Sequence, residues 1–178
     1  MLSKTVENIN ILNKKYDLIK DAHELVSKTD ESVVILNICN NMNTFGAGFN
    51  KVIAKNFPIA KENYHLLGPS KIKRALGHTQ IVKSYENKTH KNAIFVANMI
   101  CQTGIISESN LRPINYYYLA ICLAKTQSFI KQYRQESESK ISVYTHKYSS
   151  EYLGANWFFI KDLMLDTLIK PTFINVYQ

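Results

Sequence analysis

At 178 residues, 46% hydrophobic and 20% charged, the chain has the apolar content of a packed globule and not of a disordered or fibrous protein. Its formal charge of +8 suits an anionic partner, a nucleic acid or an anionic nucleotide, although lysine-rich composition alone gives the same balance. A polar start and no apolar run near the roughly 18 residues of a membrane span predict a cytoplasmic protein, neither secreted nor inserted.

Residues 8–13 and 33–39 read as strands with room for a short helix between them. The second strand is a continuous apolar run, Val33-Val34-Ile35-Leu36-Asn37-Ile38-Cys39, of the kind buried on both faces of a sheet. It leads through Asn40-Asn41-Met42-Asn43-Thr44 into Phe45-Gly46-Ala47-Gly48-Phe49, where a glycine turn opens a helix. Unpaired N–H groups at the positive end of a helix, approached by glycine backbone, form an anion cradle. A plain tight turn would use the same glycines. The third glycine of a dinucleotide fingerprint would fall on Lys51, and no Gly-Lys-Ser or Gly-Lys-Thr follows.

Phe49, Val52, Ile53 and Phe57 repeat at helical spacing up to Pro58, and residues 59–67 make a second helical piece stopped by Gly68-Pro69. Lys71, Lys73 and Arg74, the densest basic cluster, read as a solvated loop face in preference to a phosphate-backbone site. Residues 79–83 and 93–99 read as neighbouring strands across the turn-forming stretch 86–92. Pro113 opens a long helix with Ile114, Tyr118, Ile121 and Cys122 on its buried stripe, and past Phe129 the charged tract 134–140 reads as a surface loop. Residues 141–145 form a strand. Trp157, Ile160, Met164 and Leu168 mark the last helix, ended before Pro171, and residues 173–177 the last strand.

This alternation predicts a three-layer α/β/α domain spanning residues 1–178 around a mixed sheet of about six strands, with no repeat and no linker. Ligands of such folds bind at the carboxyl ends of strands, here after residues 33–39, 93–99 and 141–145. Cys39, Cys101 and Cys122 lack metal spacing and sit in apolar segments, so they read as buried reduced thiols, and neither a metal nor a cofactor is expected.

Several segments in order carry a resemblance: Asp21-Ala22 after a short strand, Leu36 through Asn41 leading into the glycine turn, Leu76-Gly77 before Gln80-Ile81-Val82, Val96-Ala97-Asn98-Met99-Ile100 with Gln102, Arg112-Pro113-Ile114, and Trp157. Together they resemble macrodomain proteins over nearly the whole chain from Tyr16 onward. The closest likeness is to the bacterial and phage branch related to ADP-ribose-1''-phosphate phosphatases and terminal ADP-ribose glycohydrolases. The resemblance implies ADP-ribose binding in a cleft at the strand ends.

Within that cleft the resemblance assigns Asp21, followed by Ala22, to the adenine amino group; the alternative is a helix N-cap for residues 22–27. Asn40, with Asn41 beside it, would orient the distal ribose or a water, or else serve the turn backbone. Gly46, Ala47, Gly48 and Phe49 would present N–H groups to the pyrophosphate. Phe45 would stack on a ribose or staple the following helix. Ser149, Ser150, Glu151 and Tyr152 stand where family members carry Gly-x-Gly-Leu, so side chains replace bare backbone, and Glu151 adds negative charge beside an anionic ligand.

The acid of the hydrolytic branch is replaced by Leu153 and Gly154, and the place of its lysine partner falls within Met99-Ile100-Cys101, which holds no lysine, so the covalent lysine and carboxylate route is not expected. The groups left for phosphatase chemistry are Asn40, Asn41, His146 and Glu151, with His23 more remote. Tyr148 and Tyr152 would wall the ligand or pack as core edges. The reading is therefore recognition of ADP-ribose or a related NAD-derived nucleotide, with hydrolysis of a terminal phosphate or linkage open beside sequestration. The alternative is a basic nucleic-acid-binding module, suggested by the charge and the eleven tyrosines.

Overall fold

A computed structural model describes residues 9–12, 17–148, 154–168 and 173–177. The elements run β1 (Ile9–Leu12), α1 (Leu18–Lys28), β2 (Ser32–Asn40), α2 (Gly48–Asn56), α3 (Pro58–Leu66), α4 (Gly68–Ile72), β3 (His78–Asn87), β4 (Asn92–Gln102), α5 (Tyr116–Ser137), β5 (Ile141–His146), α6 (Trp157–Thr167) and β6 (Ile174–Tyr177). Six strands form one mixed sheet in the order β1-β6-β5-β2-β4-β3. β3 pairs antiparallel with β4, and the other neighbours are parallel.

β2 and β4 are buried along their entire lengths, as central strands covered on both faces must be. Strand alternation divides their side chains between two cores. Val34, Leu36 and Ile38 face α5 and α6, packing with Leu119, Leu123 and Ile160. Val33, Ile35 and Cys39 face α1, α2 and α3, packing with Ala22, Ile53 and Tyr64. All three cysteines are free and buried. Among the described residues no helix is long and apolar enough to cross a membrane.

Local chemistry moves several boundaries from their predicted places. α1 begins at Leu18 because the side chain of Asp17 accepts the amides of Ile19 and Lys20, so Asp21 is not its N-cap. Gly68-Pro69 turns the chain and then starts α4, since proline tolerates a first helical turn. α5 opens at Tyr116 under an Asn115 cap, while Ile114 bridges Gln102 in extended form. Its buried stripe is Leu119, Cys122, Leu123, Thr126 and Ile130.

The charged residues 134–137 belong to α5 and not to a loop, and the helix ends at Glu138 with a left-handed φ of 55°. Inward packing explains the extension. Phe129 and Tyr133 meet Phe95 with ring centroids 5.0 and 5.1 Å away, and the Tyr133 hydroxyl reaches Ser32 Oγ at 2.9 Å. The charges occupy the outer face of a helix held from within. β3 likewise runs beyond residue 83, through a register irregularity between Lys83 and Tyr85.

Gly154, just beyond the altered loop, has φ +57° and lies hard against the segment before α5. A Cβ there would fall 2.0 Å from the Leu111 carbonyl oxygen and 2.8 Å from Arg112 Cα. Any side chain, acidic or not, requires that backbone to move. Gly154→Ala is expected to destabilise the protein by about 2–4 kcal/mol, seen as a lower urea midpoint with an unchanged m-value.

Candidate functional site

The turn between β2 and α2 is organised by Asn40, which is only 6% exposed. Its Nδ2 donates to the Thr44 carbonyl at 3.0 Å and to Thr44 Oγ1 at 2.8 Å. Its Oδ1 accepts the Met42 amide at 2.9 Å, and the Tyr64 hydroxyl lies 2.9 Å from Oδ1 and 2.8 Å from the Asn40 carbonyl oxygen. Both donors and the acceptor are engaged, so Asn40 builds the turn and has little capacity left for a sugar or a water. Burial pushes the Tyr64 phenol pKa up, keeping the hydroxyl protonated as a donor to this site.

The rest of the turn is tied down from several sides. Asn41 Oδ1 accepts the Gly104 amide at 2.9 Å and its Nδ2 reaches the Lys73 carbonyl at 3.3 Å. Asn43, at φ +58°, sets Oδ1 2.9 Å from His65 Nδ1. Phe45 is 3% exposed, with its ring 5.1 Å from that of Tyr64. It anchors the turn in the core instead of offering a face to a ribose. The exposed cluster Lys71, Lys73 and Arg74 flanks this turn as a solvated face.

Gly46, Ala47 and Gly48 are exposed, and a Cβ at either glycine would meet nothing within 4 Å, so the outer side of the bend is open. The cap position of α2 is Ala47, which has no side-chain acceptor, so the first amides of the helix keep their capacity to bind an anion. Beside them lies a cavity of about 600 Å³ lined by Asp17, Ile19, Gly48 and Val52, with Lys20, Lys51, Lys55 and Asn56 completing the wall.

The acid in that wall is Asp17. Asp21 sits one turn further along α1, half-buried, where its carboxylate approaches the hydroxyls of Tyr177 and Tyr144. Burial raises both phenol pKa values first, and the Asp21 charge raises them further. Ala22, on the inner face of α1, is fully buried. Asp17, Ile19 and Val52 were missed in sequence; the available signal was an aspartate immediately before an apolar run, the mark of an N-cap.

At the end of β5, His146 packs its ring 5.5 Å from Phe49 and places Nδ1 3.1 Å from the Tyr177 carbonyl oxygen. A carbonyl only accepts, so Nδ1 carries the proton and Nε2 is the basic nitrogen. The strand end and the start of α2 thus adjoin. His23 lies elsewhere, between Phe57 at 5.7 Å and Tyr85 at 4.7 Å, and burial lowers its pKa. Tyr148 is a core edge, its hydroxyl 3.0 Å from the Leu36 carbonyl oxygen. Ser149, Ser150, Glu151, Tyr152 and Leu153 lie outside the described residues.

No family model and no curated protein matches the sequence. A protein of unknown function from Bacteroides thetaiotaomicron superposes with a TM-score of 0.73 at 26% identity, over 95% of this chain and 98% of its own. A macrodomain protein from Streptomyces coelicolor superposes with a TM-score of 0.65 at 19% identity, over 96% of this chain and 98% of that one. This chain has the macrodomain fold. Thermosipho africanus DarTG, solved in complex with ADP-ribose, matches 98% of this chain with 42% of its own, at a TM-score of 0.62 and 12% identity.

Within the macrodomain sheet, a buried amide ladder fixes where α2 starts. Asn37 and Asn98 are register partners on β2 and β4. Asn37 Nδ2 donates to Asn98 Oδ1 and to Asn50 Oδ1, both at 2.9 Å. Asn98 Nδ2 donates to the Ala60 carbonyl at 2.8 Å, and Asn50 Nδ2 to the Ile38 carbonyl at 3.0 Å. Asn50 is the third residue of α2, so the ladder clamps the first helical turn to the sheet.

Because the Asn40 amide is structural, Asn40→Ala is expected to destabilise the ligand-free protein by about 2–3 kcal/mol, and Tyr64→Phe by about 1 kcal/mol. Denaturant unfolding without ligand measures both; an unchanged midpoint for Asn40→Ala would contradict the bonded turn.

Proposed function

We propose that this chain binds ADP-ribose or a related NAD-derived nucleotide along the carboxyl edge of the sheet. In this reading the adenine half enters the cavity between α1 and α2, and the diphosphate lies over the 46–48 bend. One observation carries it: a single cavity joins a carboxylate acceptor, Asp17, two aliphatic side chains, Ile19 and Val52, and the uncapped start of a helix. Adenine presents an amino donor and two apolar faces, and a diphosphate requires N–H donors. The fold shared with a protein solved with ADP-ribose supports the same ligand.

The acid assigned to the purine is Asp17 rather than Asp21. Its Oδ1 takes the Ile19 and Lys20 amides at 2.9 and 3.2 Å, which orients the carboxylate at the cavity edge. Binding is the primary role, and residues 1–178 act as one domain. Any hydrolytic step at a terminal phosphate would fall to His146 Nε2, beside Phe49, with Glu151 from the altered loop. Asn40 and Asn41 act as positioning residues for the bend.

Isothermal titration with ADP-ribose tests this reading. Asp17→Ser keeps a capping oxygen but shortens its reach, and is expected to weaken binding about tenfold. Asp21→Ala is expected to change affinity by less than about twofold. Absence of binding by the unaltered chain, or the opposite ranking of the two variants, would overturn the assignment.

A further inference from the structure

We infer that the adenosine end of this cavity accepts a further phosphate, so that the preferred ligand is an ADP-ribose phosphorylated or extended on its adenosine ribose. The inference rests on the nucleotide-binding reading above and names the ligand class for the same site. Its basis is that three lysines, Lys20 from α1 and Lys51 and Lys55 from α2, are among the residues lining the cavity.

Lys51 and Lys55 are four residues apart and share a helix face with Val52 turned to the cavity. α2, reading Gly-Phe-Asn-Lys-Val-Ile-Ala-Lys-Asn, contains no acid to balance them. Ion pairs among the described residues join Lys28 to Glu24, Lys83 to Glu86 and His90 to Asp30, and none involves Lys20, Lys51 or Lys55. The carboxylate lining the cavity is that of Asp17, already bonded to two amides at the positive end of α1. Lys20 also faces the Glu24 carboxylate one turn further along α1, so the excess of positive charge rests chiefly on Lys51 and Lys55, and a concave shape focuses that field.

Position separates this charge from the diphosphate site. Seven residues of helix rise place the Lys55 backbone about 10 Å along α2 from Gly48. A phosphate over the helix start is served by the 46–48 amides, whereas Lys55 stands at the opposite end of the same cavity wall. An anion there belongs to the adenosine side of the ligand, not to the diphosphate. Two chemistries supply one: a monoester on the adenosine ribose, or a diphosphate-bearing unit joined to that ribose.

The test compares ADP-ribose, 2'-phospho-ADP-ribose and an ADP-ribose dimer linked through the adenosine ribose, titrated into the intact chain at low and high salt. A single-stranded oligonucleotide serves as competitor. The added phosphate is expected to tighten binding about tenfold at low salt, and the gain is expected to fade at 1 M salt, where the screening length is about 3 Å. The double substitution Lys51→Gln and Lys55→Gln is expected to bring the ratio of the two affinities to about one. Tighter binding confined to the monoester or to the dimer identifies the source. Equal affinity for all three in the unaltered chain overturns this inference and leaves ADP-ribose binding standing. No binding of any overturns both, and an oligonucleotide that competes as strongly as the phosphorylated ligands replaces the subsite with a general polyanion surface.

Discussion

The central constraint on this molecule is that β2 and β4 are buried on both faces yet carry asparagines. Asn37 and Asn98 lie at 0% exposure, where an unpaired amide is costly and water cannot compensate. Their partners come from each other, from Asn50 on α2 and from the Ala60 carbonyl on α3. Satisfying these groups fixes the distance and orientation of α2 relative to the sheet. Asn37 Oδ1 remains without a donor among the described residues, which suits a network retained for positioning more than for stability.

That clamp makes an uncapped helix start useful. A helix N-terminus held by its first turn, preceded by an open bend, presents amides in a fixed direction. The bend is equally fixed, since Asn40, Asn41 and Asn43 each direct their side chains to backbone or side-chain groups around it. Residues that look like reagents in a list of polar side chains thus act as scaffolding. Recognition passes to the groups the scaffold leaves exposed: the 46–48 amides, the Asp17 carboxylate, Val52 and the surrounding lysines.

The strands and most helices were legible because their periodicities are strong and their ends carry chemical marks. The apolar run through Val33, Ile35 and Cys39 can satisfy its surroundings only as a central strand, and Pro58 and Gly68 punctuate the helices that follow. The charged end of α5 was not legible, because Arg134 and Glu136 describe only its solvent face, while Tyr133 packing on Phe95 decides that the helix continues. Asp21 and Asp17 are separated by one helical turn, and spacing alone does not say which begins the helix. The cap bonds of Asp17 do.

The alternation of strand and helix, the glycine bend after β2 and the burial of the cysteines follow from local residue pattern and solvent avoidance alone. Tertiary structure alone decided that Asn40 and Phe45 face inward to Tyr64, that Asp17 borders the cavity while Asp21 turns to Tyr144 and Tyr177, and that Lys20 joins Lys51 and Lys55 on one wall. The reason is geometric. Hydrogen-bond partners and shared cavities depend on contacts between residues far apart in the chain, and local periodicity carries no information about which of those contacts form.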